Sequence, residues 1–269
     1  MQLKPAIKTT IPVTAECISP DVFAGKSVKD IKTLPVHHGN KEKQLKDIFD
    51  ITDDGSDTIV ITGDVPFVKY IGKGMTTGSI VVKGNCGMHT GAQMKGGTLT
   101  IKGNVSDWAG AQMKGGELFI EGNAGHGLGG AYRGNKSGMN KGLIVVKGNC
   151  GNEVGSLMKR GIIVIEGNTG ATAGIGMKGG TIFCYGKAGE RPGALMQRGT
   201  LVLYNEPEFL PTFTYNAVYN PTWLRVFLKD LQNTPYTIPV KPEHITGVYK
   251  RYNGDISELG KGEIFVYSP

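Results

Sequence analysis

Six cations sit at one place in a recurring phrase. Lys95, Lys114, Lys159 and Lys178 each follow a methionine directly, and Arg160 and Arg198 stand one residue further on. If the phrase stacks on itself, these side chains form a column that could hold an acidic partner surface or a polyanionic ligand such as an anionic cofactor tail. Left exposed, the same column is offset by water and counter-ions, and this plainer outcome is the expectation. A second group, His126, Tyr132 and Arg133, lies within residues 125–138. An imidazole, a phenol and a guanidinium could move a proton or hold an anion. No carboxylate or nucleophile accompanies them at a recognisable spacing, so the segment reads as a glycine-rich interface loop.

The usual equipment of a catalyst is missing elsewhere too. The glycine-rich corners lack the Gly-Lys-Ser/Thr ending of a phosphate loop, and no His-Glu-x-x-His pair occurs. No Cys-x-x-Cys is present, which argues against zinc and iron–sulfur sites. Cys86 and Cys150 fall at the same repeat position three copies apart, roughly 14 Å at the strand spacing, too far for a disulfide. His37 and His38 are neighbours in an extended stretch and point apart. The net charge of +7 allows nucleic acid, an anionic ligand or an acidic partner. Nucleic acid is not expected, because no aromatic residues interleave with the cations.

The elements that must position these residues are repeats. Gly84, Gly103, Gly122, Gly148, Gly167 and Gly186 each close an apolar run, at spacings of 19, 19, 26, 19 and 19 residues. Glycines recur seven and thirteen places after most anchors, and a methionine at ten: Met94, Met113, Met158, Met177 and Met196. The longer spacing holds a seven-residue insertion, after which Met139 and Gly142 return to phase. Each copy opens with an alternating trio such as Ile80-Val81-Val82 or Leu118-Phe119-Ile120, whose first and third side chains share a face. Glycines this frequent exclude helices of useful length. The pattern predicts an all-β protein, a parallel β-helix (solenoid) of about seven coils with a 19-residue repeat. The methionines should fill its core, and the column Asn85, Asn104, Asn123, Asn149, Asn168 should form a hydrogen-bonded ladder.

The expected division is an N-terminal extension over 1–57, the repeat region over 58–204, and a C-terminal capping helix with an extended tail over 205–269. In the first part, residues 7–13 read as an edge strand and residues 41–49 as a short helix, with a helix start at Ser19-Pro20. Residues 222–231 read as an amphipathic helix whose apolar side closes the end of the last coil. The tail, with a strand-like run over 262–267, suits wrapping over neighbouring subunits. Residues 1–32 hold no apolar run of signal or membrane length, so a cytoplasmic protein that does not enter a membrane is expected.

The phrase Gly-x-x-Gly-x-x-x-Gly-x-x-Met-x-x-Gly, as in residues 148–161 and 167–180, resembles the glycine-repeat β-helix family. That family includes the C-terminal domain of the large glutamate synthase subunit and the C-type subunit of formylmethanofuran dehydrogenase. Pro20-Asp21-Val22-Phe23-Ala24-Gly25-Lys26-Ser27, the link Leu34-Pro35-Val36-His37-His38-Gly39-Asn40 and the length of the chain resemble this C-type subunit more specifically. The resemblance implies a structural subunit of the complex that reduces CO2 and attaches it to methanofuran in methanogenic archaea. It implies partners that carry the cofactors: a subunit with tungsten or molybdenum pterin and an iron–sulfur cluster, an amidohydrolase-like subunit with a dinuclear metal site, and ferredoxin-type subunits. No catalytic, cofactor-binding or metal-binding residue carries over to this chain. A related bacterial formyltransferase/hydrolase complex is the alternative setting, marked by a formyltransferase partner.

Overall fold

The computed structural model describes residues 1–269. One 13-stranded sheet dominates it. Its central strands, Thr58–Thr62, Ser79–Lys83, Lys95–Ile101, Lys114–Ile120, Lys141–Val146, Ile162–Ile165, Lys178–Cys184 and Arg198–Leu203, run in chain order, each parallel to the next. The register follows the repeat: Ile80 pairs with Leu99, Leu99 with Leu118, Leu118 with Ile144, Ile144 with Ile163 and Ile163 with Ile182. A second line of parallel bridges joins Val65, Cys86, Val105, Ala124, Cys150 and Thr169 on another side. The copies are therefore stacked, and Cys86 and Cys150 stand three steps apart in one line, free and buried.

Burial explains the alternating trios. The first and third residues, from Ile80 and Val82 to Ile182 and Cys184, are all at most 1% exposed and meet the methionines inside the stack. Met94, Met113, Met139, Met158, Met177 and Met196 are fully buried, so the stripe fills volume between the walls. Glycine is required where copies touch. A Cβ on Gly87 would lie 2.3 Å from the Val68 carbonyl oxygen, and Gly97 adopts φ +74 beside the Met75 side chain. The asparagine ladder forms through acceptors: the Oδ1 of Asn85, Asn104, Asn123, Asn149 and Asn168 each takes the backbone N–H of the equivalent residue in the next copy, at 2.7–2.8 Å. Asp64 begins the ladder, accepting from Asn85 N at 2.8 Å.

The termini depart from expectation in several places. Residues 7–12 form no strand; of the expected edge strand only Val13 pairs, within the strand Val13–Thr14. Residues 41–49 hold the strand Lys41–Gln44 and one 3-10 turn, Leu45–Asp47, rather than a helix. Lys41-Glu42-Lys43-Gln44 lacks helical apolar spacing and instead pairs with Pro35–His38 across the Gly39 turn. The helix start at Ser19 is present (Pro20–Phe23). Gln2–Pro5 and Phe49–Thr52 complete the N-terminal edge of the large sheet.

At the other end the amphipathic helix forms over Thr222–Gln232, but it does not close the end of the stack. Leu224, Leu228 and Leu231 pack with the middle residues of the trios, Phe119, Val145, Val164, Phe183 and Val202, on the outer face of the sheet. Those middle positions are apolar from the third copy onward, which is why the helix settles there. The end is covered by the tail. Lys261–Ser268 pairs parallel with Arg198–Leu203, Leu201 opposite Ile264 and Leu203 opposite Val266, so the tail supplies one more strand of the same kind. Val248–Gly254 and Thr214–Tyr219 follow antiparallel and form the outer edge.

Candidate functional site

The basic residues form one line along the edge where turns become strands. Lys95, Lys114, Lys159, Arg160 and Arg198 are exposed and Lys178 half-exposed. Lys114 is the register partner of Lys141, and Lys178 of Arg198, which in turn pairs with Lys261. Lys141 and Lys261 thus belong to the line although the methionine phrase did not point to them. Lys141 was legible, since it stands two places after Met139 as Arg160 does after Met158. Lys261 was concealed because its strand comes from the tail. The ion pairs of the molecule lie elsewhere, among them Lys102 with Glu121 at 2.6 Å, the cross-strand pairing that alternating charges suggest.

The insertion leans over this edge. The Gln112 amide donates to the Ser137 carbonyl at 3.1 Å, and the Lys178 ammonium to the Lys136 carbonyl at 3.2 Å. Between loop and stack lies a cleft of about 360 Å3 lined by polar residues and glycine, including Gln93, Gln112, Lys114, Asn135 and Asn140. A second cleft, about 310 Å3, opens on the loop's other side against Trp108, Arg133, Glu153, Leu157 and Leu195. A larger cavity of about 490 Å3 lies away from both, near Pro5, Ile7 and Phe67.

The group His126–Tyr132–Arg133 does not assemble. His126 serves a second ladder: its N–H donates to Asp107 Oδ1 at 2.8 Å, and its Nδ1 accepts from Asn152 N at 2.9 Å. Asn152 Oδ1 then accepts from Ala171 N at 2.9 Å. Arg133 is exposed. Tyr132 meets His89 instead, with its hydroxyl 3.0 Å from Nδ1. His89 stacks on Tyr70 with ring centroids 4.5 Å apart, and Trp108 lies 5.5 Å from Tyr132. Tyr70, His89 and Trp108 hold one repeat position at φ 68, 61 and 62, so left-handed turns present their rings in a row. Burial, and then the charges of Lys69 and Lys73 against that of Asp107, hold the His89 imidazole below its ordinary value. Burial pushes the Tyr132 phenol well above its ordinary value. This cluster pins the loop. Sequence spacing missed His89 because its partner is 43 residues away.

No group of three or more His, Cys, Asp or Glu side chains is placed to hold a metal ion. Burial raises the Cys17 and Cys184 thiols to about 11, which keeps them protonated at neutral pH. No helix is long and apolar enough to cross a membrane.

Fold and site together define a glycine-repeat protein with a mostly β body, a loop packed on Tyr70, His89 and Trp108 side chains, and a basic edge. The family model described as the GXGXG motif matches residues 54–202, more than half of the chain. The chain belongs to this family. It is 42% identical, over 95 residues, to the C-type subunit of the tungsten-containing formylmethanofuran dehydrogenase 2 of Methanothermobacter thermautotrophicus. That match covers 34% of this chain and 35% of the relative. The C-type subunit of the molybdenum-containing formylmethanofuran dehydrogenase 1 of the same organism is 42% identical over 91 residues, covering 33% of this chain and 23% of the relative. The chain thus spans about a third or less of the length of these curated relatives. A chain in the crystal structure of the formyltransferase/hydrolase complex from Methylorubrum extorquens, in complex with methylofuran, superimposes with a TM-score of 0.91 at 33% identity. That match covers 100% of both chains.

Proposed function

We propose that this chain is the structural, C-type subunit of a formylmethanofuran dehydrogenase, the complex that reduces CO2 and fixes it as N-formylmethanofuran. The observation that carries the reading is its 42% identity to the C-type subunits of both tungsten and molybdenum enzymes. In this reading the repeats wind as a parallel β-helix of about seven coils over 58–204, between an N-terminal cap over 1–57 and a C-terminal part over 205–269. The sequential parallel strands and the second line of parallel bridges support that winding. Tungsten or molybdenum pterin, iron–sulfur clusters and a dinuclear metal site belong to partner subunits, and ferredoxin-type chains deliver electrons. This chain holds those partners in place in the cytoplasm of an archaeal cell. The pinned loop with Tyr132 and Arg133 is one contact surface. The exposed strand Thr214–Tyr219, carrying Tyr215, Val218 and Tyr219, is another.

A second reading is a subunit of a bacterial formyltransferase/hydrolase complex, favoured by the end-to-end likeness to the Methylorubrum chain. Purification from the native host, with mass spectrometry and metal analysis, separates the two. Tungsten or molybdenum with amidohydrolase-like and ferredoxin-like chains is the expected result. A formyltransferase without those metals would select the second reading, and a lone monomer would overturn both.

A further inference from the structure

Seven cations occupy seven adjacent strands or the turns that lead into them: Lys95, Lys114, Lys141, Arg160, Lys178, Arg198 and Lys261. Lys159 adds an eighth beside Arg160. Six strand spacings give the row a length of about 29 Å. Like charges on neighbouring strands repel, and no ion pair within the chain offsets this row. None of its ion pairs includes a member of the row; the pairs lie at Asp54, Glu16, Glu121, Glu243, Glu206 and Glu263. Only Lys178 has a partner, the Lys136 carbonyl.

The second observation is the polar cleft beside it. The insertion supplies Asn135 and Ser137 to one wall, Asn140 adds to it just past the insertion, and Lys114 belongs to both cleft and row. The amides of Gln93 and Gln112 are linked at 3.2 Å, and Gln112 is tied to Ser137, which fixes the wall. Amides and an ammonium converging in about 360 Å3 suit one carboxylate side chain.

We propose that this edge is a docking track for an extended acidic peptide segment of a partner protein, with one carboxylate seated in the cleft against Lys114. An extended chain rises about 3.3 Å per residue, so about nine residues span the row. Every second side chain of that chain faces the cations. A single row serves a single strand and not a duplex. No aromatic residue stands in the row to stack a nucleobase, which separates it from a single-stranded nucleic-acid track. The track depends on the electrostatics of this edge alone and holds whichever complex the chain enters.

The test is fluorescence anisotropy on the purified full chain with a labelled nine-residue peptide alternating Glu and Ser. The same peptide with Gln for Glu and a single-stranded DNA oligomer of matching charge are the comparisons. The Glu peptide should bind, with affinity falling at least tenfold between low and physiological salt. K114E combined with K159E should weaken it at least tenfold, whereas the same charge change at Lys83 and Lys26, off the row, should alter it less than twofold. Asn140→Ala should weaken it a few-fold, with the melting curve unchanged. Equal binding of the Gln peptide, no binding of the Glu peptide, equal losses from the off-row pair, or tighter binding of the DNA would each overturn the proposal.

Discussion

Phe183→Ala tests whether the sheet is buried on both faces. Phe183 is fully buried, and its ring lies 6.3 Å from that of Phe227 on the Thr222–Gln232 helix. Losing a buried aromatic removes about 2 kcal/mol of burial, and the unfilled space raises the total to about 3–5 kcal/mol. Val81 holds the same repeat position two copies before the covered stretch and is only half-buried, so Val81→Ala should cost about 1 kcal/mol or less. With a urea slope of about 3 kcal/mol per molar, the first variant should shift the unfolding midpoint by about 1 M or more and the second by about a third of that or less. Urea unfolding followed by circular dichroism measures both. Limited proteolysis supplies a local readout: residues 205–247 should become cleavable in Phe183→Ala while the repeats stay intact. If both variants shift the midpoint equally and cleavage is unchanged, the helix does not cover this face as described.

Other outcomes follow from particular contacts. Asn104→Ala removes the acceptor of Asn123 N and should lower stability by about 1 kcal/mol in a thermal melt, whereas Asn104→Asp keeps an acceptor, as Asp64 does at the ladder's start. Gly87→Ala, whose methyl would meet the Val68 carbonyl, should cost more than about 3 kcal/mol or give insoluble protein. Gly55→Ala, with nothing within 4 Å, should cost only about 1 kcal/mol for its φ of +71. Asp21 is raised by burial but lowered more by its hydrogen bonds from Thr76 and Ser19, so its folded value lies below the unfolded one. Its stabilising effect should be complete above the ordinary carboxylate value and fade as pH falls through the folded value. The Tm gap between the native chain and Asp21→Asn should close over that acid range. For His89, also held low, stability should fall as pH drops below the ordinary imidazole value near 6.5, and His89→Phe should flatten that slope.

Period and phase carried most of the body of this fold. The glycine anchors, the methionine stripe and the asparagine column each rest on a local rule applied at a fixed interval, so stacking followed from spacing alone. The tail was less legible because Lys261-Gly262-Glu263-Ile264 repeats the strand phrase without the glycine and methionine context that marks it elsewhere. The helix is legible along the chain and not in space. Its apolar stripe says that something must be covered, while the choice of surface depended on Phe119, Val145 and Phe183, middle residues whose outward face had no assigned partner. His126 misled because it stands near Tyr132 in sequence, whereas contacts in this molecule run between copies; His89 is nearer in space.

The two side-chain ladders make length a quantised property. Each Asn or Asp serves the copy that follows it, so a whole repeat can be duplicated or lost in evolution and the joints on either side close again. An insertion of any other size must leave the stack, as residues 132–138 do, and become surface. Each added repeat would also lengthen the basic edge by one position. Selection can therefore tune the reach of this protein in discrete steps without redesigning its interior.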